Sequence, residues 1–113
     1  MHELSAIVGV LKTIEKVMNE QSLTRVDTIV LQIGEFSGIV PSYIEEYFPS
    51  AIFRTRFEGA RLELETIPGI VRCNGCGEEF NAFEHDFKCP SCQEKNLTPI
   101  SGREFLIKEI HAY

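Results

Sequence analysis

The chain has 113 residues, 43% of them hydrophobic, which is enough for one core or a core with a small satellite and too apolar for a disordered tail. Its formal net charge is −6 and its pI about 5.0, with no basic run to offset them, so a nucleic-acid partner is disfavoured. No apolar run reaches the length of a bilayer span, and the first residues lack the basic and apolar regions of a secretory leader. We therefore expect a cytoplasmic protein with no membrane partner and with thiols kept reduced.

Leu4, Ile7, Val8, Leu11, Ile14 and Met18 recur every three or four residues, with Ala6 and Val10 beside them. This spacing predicts an amphipathic, core-facing helix over residues 3–20. Lys12, Glu15, Lys16 and Glu20 form its solvated side. The next run, RVDTIVLQIGEF, is rich in β-branched residues and alternates Ile29, Leu31 and Ile33 with Thr28, Val30 and Gln32, which predicts a strand over residues 25–33. Gly34 and Gly38 bracket a loop. Pro41 and then Ser42-x-x-Glu45 have the spacing of a capping box and should open a second helix. That helix should run through Ile44, Tyr47, Phe48, Ala51 and Ile52, with a kink or a break at Pro49.

Glu58-Gly59 turns the chain into ARLELETIPGIVRC, a strand pattern with Leu62 and Leu64 on one face. The composition then changes. From Cys73 to about Ser101 the chain is polar and rich in Gly, Asn and Cys, with Phe80, Phe83 and Phe87 as scattered anchors. Residues 103–110 read as a strand again. A satellite inserted between two strands of one sheet accounts for this order, the chain leaving near Pro68-Gly69. The expected fold class is α+β, a sheet of about three strands packed with two helices, plus an inserted zinc-ribbon-like satellite. The expected division is residues 1–70, completed by a returning strand at 103–113, and residues 71–102.

The four cysteines follow the pattern C-x2-C-x12-C-x2-C: Cys73, Cys76, Cys89 and Cys92. Each pair folds back so that two sulfurs face one point, and two pairs supply the tetrahedron of structural zinc. Gly75 and Gly77 suit a tight turn, and Pro90 stiffens the second loop. Two disulfides or a redox pair fit poorly with a reducing compartment. Iron could occupy the same thiolates, but nothing else points to electron transfer. Four thiolates close the coordination sphere, so this metal should be structural. His85, between the pairs, reads as a polar loop residue, and His111 carries little information. No enzyme chemistry is evident. There is no nucleophile–base pair and no phosphate-binding glycine loop, and Glu45 and Glu46 point to different sides of a helix.

MHELS at the start, IGEFSGIVP, FEGARLELE, the two Cys pairs and GREFLIKEI occur in an order that resembles the HypA/HybF family over essentially the whole chain. These are nickel metallochaperones of nickel–iron hydrogenase maturation. The resemblance implies that Met1, His2 and Glu3 form the nickel end and that Cys73, Cys76, Cys89 and Cys92 hold structural zinc. It implies a hydrogenase-maturation GTPase as partner and the hydrogenase large-subunit precursor as recipient, with urease maturation proteins as further partners in some bacteria. Where some members carry an acidic residue in the loop before the second helix, this chain has Ile39-Val40, and no carboxylate is carried over.

Given that implication, the chemistry of the first residues suits nickel. A free α-amine, the amide nitrogen of residue 2 and Nδ1 of a residue-2 imidazole can reach one ion through a five- and a six-membered ring. Ni(II) accepts such square-planar nitrogen coordination, whereas zinc favours tetrahedral sites. Met1 must keep a free amine, and the bulky His2 should block removal of the initiator. The fourth ligand is open between Glu3, a second histidine such as His85, and water. The competing reading is a zinc-ribbon adaptor that docks to a protein complex or nucleic acid and carries no nickel.

Overall fold

The computed structural model describes residues 2–113, with the backbone alone at His2. In chain order it contains α1 (His2–Glu20), β1 (Val26–Gly34), α2 (Pro41–Ile52), β2 (Arg61–Ile67), β3 (Ile70–Cys73) and β4 (Glu79–Asn81). A 3₁₀ turn (Phe83–His85), β5 (Leu97–Pro99) and β6 (Phe105–Ala112) follow. The strands form two three-stranded sheets, β2-β1-β6 and β4-β3-β5. The α+β reading with a satellite between two strands of one sheet therefore holds. The molecule measures 54 × 26 × 18 Å, and its radius of gyration is 17.6 Å. A single compact body of about 100 residues would give about 13 Å, so the two sheets lie end to end.

ARLELETIPGIVRC, one strand pattern by sequence, is two strands in different sheets. β2 runs parallel to β1, connected through α2, whereas β6 pairs with β1 antiparallel. On the helix side Ile29, Leu31 and Ile33 join Ile7, Val10, Ile14 and Met18 of α1 and Ile44, Phe48 and Ile52 of α2 in one core. Each fully buried aliphatic side chain there contributes about 1.5–3 kcal/mol. The apolar stripe of α1 is narrower than its sequence suggests. Leu4 and Val8 are exposed, and Val8 and Leu11 line a groove beside Ala51 and Phe57 near the end of α2.

β1 is buried on its other face as well. Thr28 and Val30 are buried there because the strand is central and its neighbours carry long side chains over it. Glu63 and Glu109 flank Val30. Glu65 accepts from Lys108 Nζ at 2.8 Å and from Gln32 Nε2 at 3.3 Å.

The second helix departs from expectation at its start, and of the kink or break expected at Pro49 the break does not occur. Pro41 occupies the first turn, its missing N–H costing nothing there. That makes Val40 the N-cap and places Ser42 inside the helix, so no side-chain cap from the Ser42-x-x-Glu45 box forms. At Pro49 the helix continues to Ile52 instead of breaking. Ile44, Phe48 and Ile52, four residues apart, are all buried and seat one face on the core across the proline, and this packing outweighs the local loss of a hydrogen bond.

The two sheets meet at a crossing of three glycines. The Phe36 N–H donates to the Gly102 carbonyl at 2.7 Å, and the Gly34 N–H to the Glu104 carbonyl at 2.7 Å. A methyl group on Gly34 would land inside the Gly102 carbonyl. One on Gly102 would lie 2.8 Å from the Pro68 oxygen and the Gly69 Cα, at a φ of +102°. Gly102→Ala should thus cost about 2–4 kcal/mol from left-handed backbone strain plus overpacking. Gly38→Ala, at φ +80° with nothing within 4 Å, should cost only about 1 kcal/mol. Urea denaturation of the two variants checks this, and equal losses would show that the close approach contributes nothing.

Candidate metal centre

Cys73 ends β3, and the chain then folds through two turns of the same design. In the first, the Cys73 N–H donates to the Glu78 carbonyl at 2.8 Å and the Gly77 N–H to the Cys73 carbonyl at 2.9 Å. In the second, the Cys89 N–H donates to the Glu94 carbonyl at 3.0 Å and the Gln93 N–H to the Cys89 carbonyl at 2.9 Å. The fifth residue of each turn is left-handed, Gly77 at φ +81° and Gln93 at φ +68°. The sequence reading gave Gly75 the same importance, but Gly75 does not need a positive φ, and a Cβ there would make ordinary contacts with Glu94 at 3.5 Å and the Cys73 sulfur at 3.6 Å.

These turns bring the four thiol sulfurs within 4.8 Å of one another. Cys73 and Cys92 stand 3.4 Å apart, and Cys76 and Cys89 3.6 Å apart. All four cysteines are free thiols. An ion bound tetrahedrally at about 2.3 Å from each sulfur needs sulfurs about 3.8 Å apart, so the donors fit a zinc-sized thiophilic ion. Cys73 and Cys89 are buried, and Cys76 and Cys92 are exposed.

The thiols perturb one another strongly. Burial pushes Cys73 up, but the N–H groups of Cys76 and Gly75, aided by the Cys92 and Cys76 thiols, outweigh it and bring its pKa down to about 7. For Cys92 the Glu94 N–H favours the thiolate, yet Cys73, burial and the other two sulfurs win and raise it to about 12. Cys76 is also raised: the Glu78 N–H acts against this, but Cys89 and burial prevail. Four sulfurs this close cannot all carry charge unaided. A divalent cation between them reverses that and holds all four as thiolates.

Side chains that the sequence reading missed tie the turns in place. Ser91 Oγ donates to the Glu78 carboxylate, linking one turn to the other. Asn74 Nδ2 donates to Asn96 Oδ1 at 2.9 Å, and Thr98 Oγ1 to Asn74 Oδ1 at 2.9 Å, fixing the first turn to β5. Asparagine beside a turn is a recognisable signal, but its partner is not. His85 is exposed, lies edge-on to Phe80 at 5.7 Å, and is not part of the four-thiol group. His111 pairs with Glu109 at 2.8 Å on β6.

Of the expected nickel end, Met1 and the His2 side chain lie outside the described residues. Glu3 lies within them. It is only 6% exposed, and its Oε2 accepts the Val40 N–H at 3.0 Å. No spacing in the sequence announces this contact between residues 37 apart. Around Val40, Pro41, Thr66 and Phe83 lies a cleft of about 290 Å³ between the first sheet and the cysteine-bearing unit.

The family model described as "Hydrogenase/urease nickel incorporation, metallochaperone, hypA" matches residues 1–112. The chain belongs to this HypA family. A hydrogenase maturation factor HypA from Geobacter metallireducens is 37% identical over 110 residues, covering 97% of both chains. One from Dehalococcoides mccartyi is 38% identical over 110 residues, covering 97% of this chain and 92% of its own length. The solution structure of the nickel metallochaperone HypA from Helicobacter pylori matches with a TM-score of 0.65 at 19% identity, over 97% of this chain and 96% of that one. A second HypA solution structure gives 0.69 at 21% identity, over 100% and 97%. At such identities the two structures show a shared HypA fold.

Cys89→Ser should reduce the metal content from about one ion per chain to a small fraction of that, because a buried thiolate ligand is lost. The amide signals of β3, β4 and β5 should collapse while those of β1 persist. A full metal complement in this variant would rule out the four-thiol centre.

Proposed function

We propose that this chain carries Ni(II) at its first residues and helps deliver it to a nickel–iron hydrogenase large-subunit precursor. A single observation carries the reading: the family match begins at residue 1 and runs through the Met1-His2-Glu3 start and all four cysteines. The chelate uses the Met1 amine, the His2 amide nitrogen and the His2 imidazole, with Glu3 alongside. An ion held by the end of a chain keeps an open side, from which a partner can displace ligands one at a time. A closed cage would release its cargo slowly.

Zinc is the resident metal of Cys73, Cys76, Cys89 and Cys92. Their four thiolates leave it no open position, so it shapes residues 71–102 and takes no part in chemistry. Residues 1–70 with 103–113 form the nickel-binding unit. The protein acts in the cytoplasm as a carrier and not as an enzyme. A hydrogenase-maturation GTPase is its partner in delivery, and urease maturation proteins are a second route for the nickel. No nucleic acid and no membrane is involved, in keeping with the net charge of −6 and with no described helix being long and apolar enough to cross a membrane.

The test is a nickel titration of protein that starts at its native Met1, beside His2→Ala and a form with residues added before Met1. Both changes should abolish the nickel site and leave the zinc content unchanged, because the amine and imidazole are lost without touching the thiols. Equal nickel binding by all three forms would refute the N-terminal chelate and favour an adaptor that carries no nickel.

A further inference from the structure

Glu3 is one of only two buried polar or charged residues described in the chain, the other being Thr28. A carboxylate so withdrawn from water must be held by donors. One of them is the Val40 N–H, 3.0 Å from Oε2. Val40 is the N-cap of α2, and its aliphatic side chain offers that helix no capping acceptor. Glu3 itself stands in the first turn of α1. One carboxylate therefore sits at the N-terminal ends of two helices, where both backbone dipoles favour negative charge.

We propose that Glu3 is a positioning residue for nickel binding. Its carboxylate acts through the Val40 amide, clamping the first turn of α1 onto the first turn of α2, and so orients the residues that precede it. This rests on the N-terminal nickel reading and sharpens it: the Glu3 side chain is a fastener for the site and not the fourth ligand. The aliphatic residue at position 40 contributes its backbone N–H to that role, and its side chain is not needed.

The test uses the full chain starting at native Met1, as wild type, Glu3→Gln, Glu3→Ala and His2→Ala. Nickel affinity, the visible absorption bands of the nickel complex, and hydrogen exchange of the Val40 amide in nickel-free protein are read for each. Glutamine keeps an oxygen acceptor at the same reach, and alanine does not. Glu3→Ala should weaken nickel binding about tenfold or more, the size expected from losing a charge-assisted hydrogen bond. Its absorption bands should stay in place, and its Val40 amide should exchange about tenfold faster or more. Glu3→Gln should restore most of the affinity and of the protection. Bands that shift in both Glu3 variants would make the carboxylate a ligand and overturn the proposal, as would Val40 exchange unchanged in Glu3→Ala. Nickel binding unchanged in His2→Ala would sink the N-terminal site itself. That outcome is separate from the other two, because it leaves the Val40 exchange result standing but removes the nickel role built on it.

Discussion

Five buried side chains, Val71, Cys73, Phe80, Ala82 and Cys89, are the described core of the second sheet, and two of them are metal-binding candidates. That is far too little apolar surface to order a unit of this length. The convergence of four thiols on one point is the constraint that everything else in this half depends on. The two turns with matched backbone bonds, the left-handed Gly77 and Gln93, and the Glu78–Ser91 tie all hold sulfurs close enough to repel one another. A cation at their centre would turn that repulsion into folding energy for the unit.

The cysteine-bearing unit is joined to the first sheet through specific contacts. The Phe36 ring, from the loop after β1, stands 5.3 Å from Phe83 and 6.4 Å from Phe87. Glu35 Oε1 accepts from the Gly69 N–H at 2.7 Å and from Asn81 Nδ2 at 3.2 Å, and Asn81 Oδ1 caps the turn that carries Phe83. At Gly34, Gly69 and Gly102 there is no room for a side chain between the two connecting segments. The second unit is thus held against the end of β1 and the loop after it, the loop whose last residue, Val40, donates to Glu3. The four-thiol group and the Glu3–Val40 contact are thus joined through one continuous set of contacts around the end of β1.

Much of this was legible in the residues. The two helices, the β-branched β1 and the Cys-x2-Cys pairs declare themselves because period and spacing are local properties. The returning strand was legible because the composition breaks at Cys73 and recovers after Gly102. What was not legible depends on partners distant in sequence. Leu4 and Val8 look like core residues until the neighbours of α1 are known. Val30 looks exposed until β2 and β6 flank it. Pro41 competes with Ser42 for the helix start, and the proline wins because its fixed φ suits the first turn. Pro49 is tolerated because of three buried residues on one side of α2. The Glu3–Val40 contact joins the first turn of α1 to the backbone of a loop residue whose aliphatic side chain gives no sign of it in the sequence.

Two metals in two ligand environments within one small chain is the central claim, and X-ray absorption tests it most directly. Protein with its native Met1, carrying its resident metal and one added equivalent of Ni(II), is measured at the nickel and zinc K edges. The expected result is nitrogen and oxygen scatterers alone around nickel, and four sulfurs at about 2.3 Å around zinc. Sulfur scattering at the nickel edge, with sulfur lost from zinc, would show that the cargo enters the thiol site and would contradict the separation of roles.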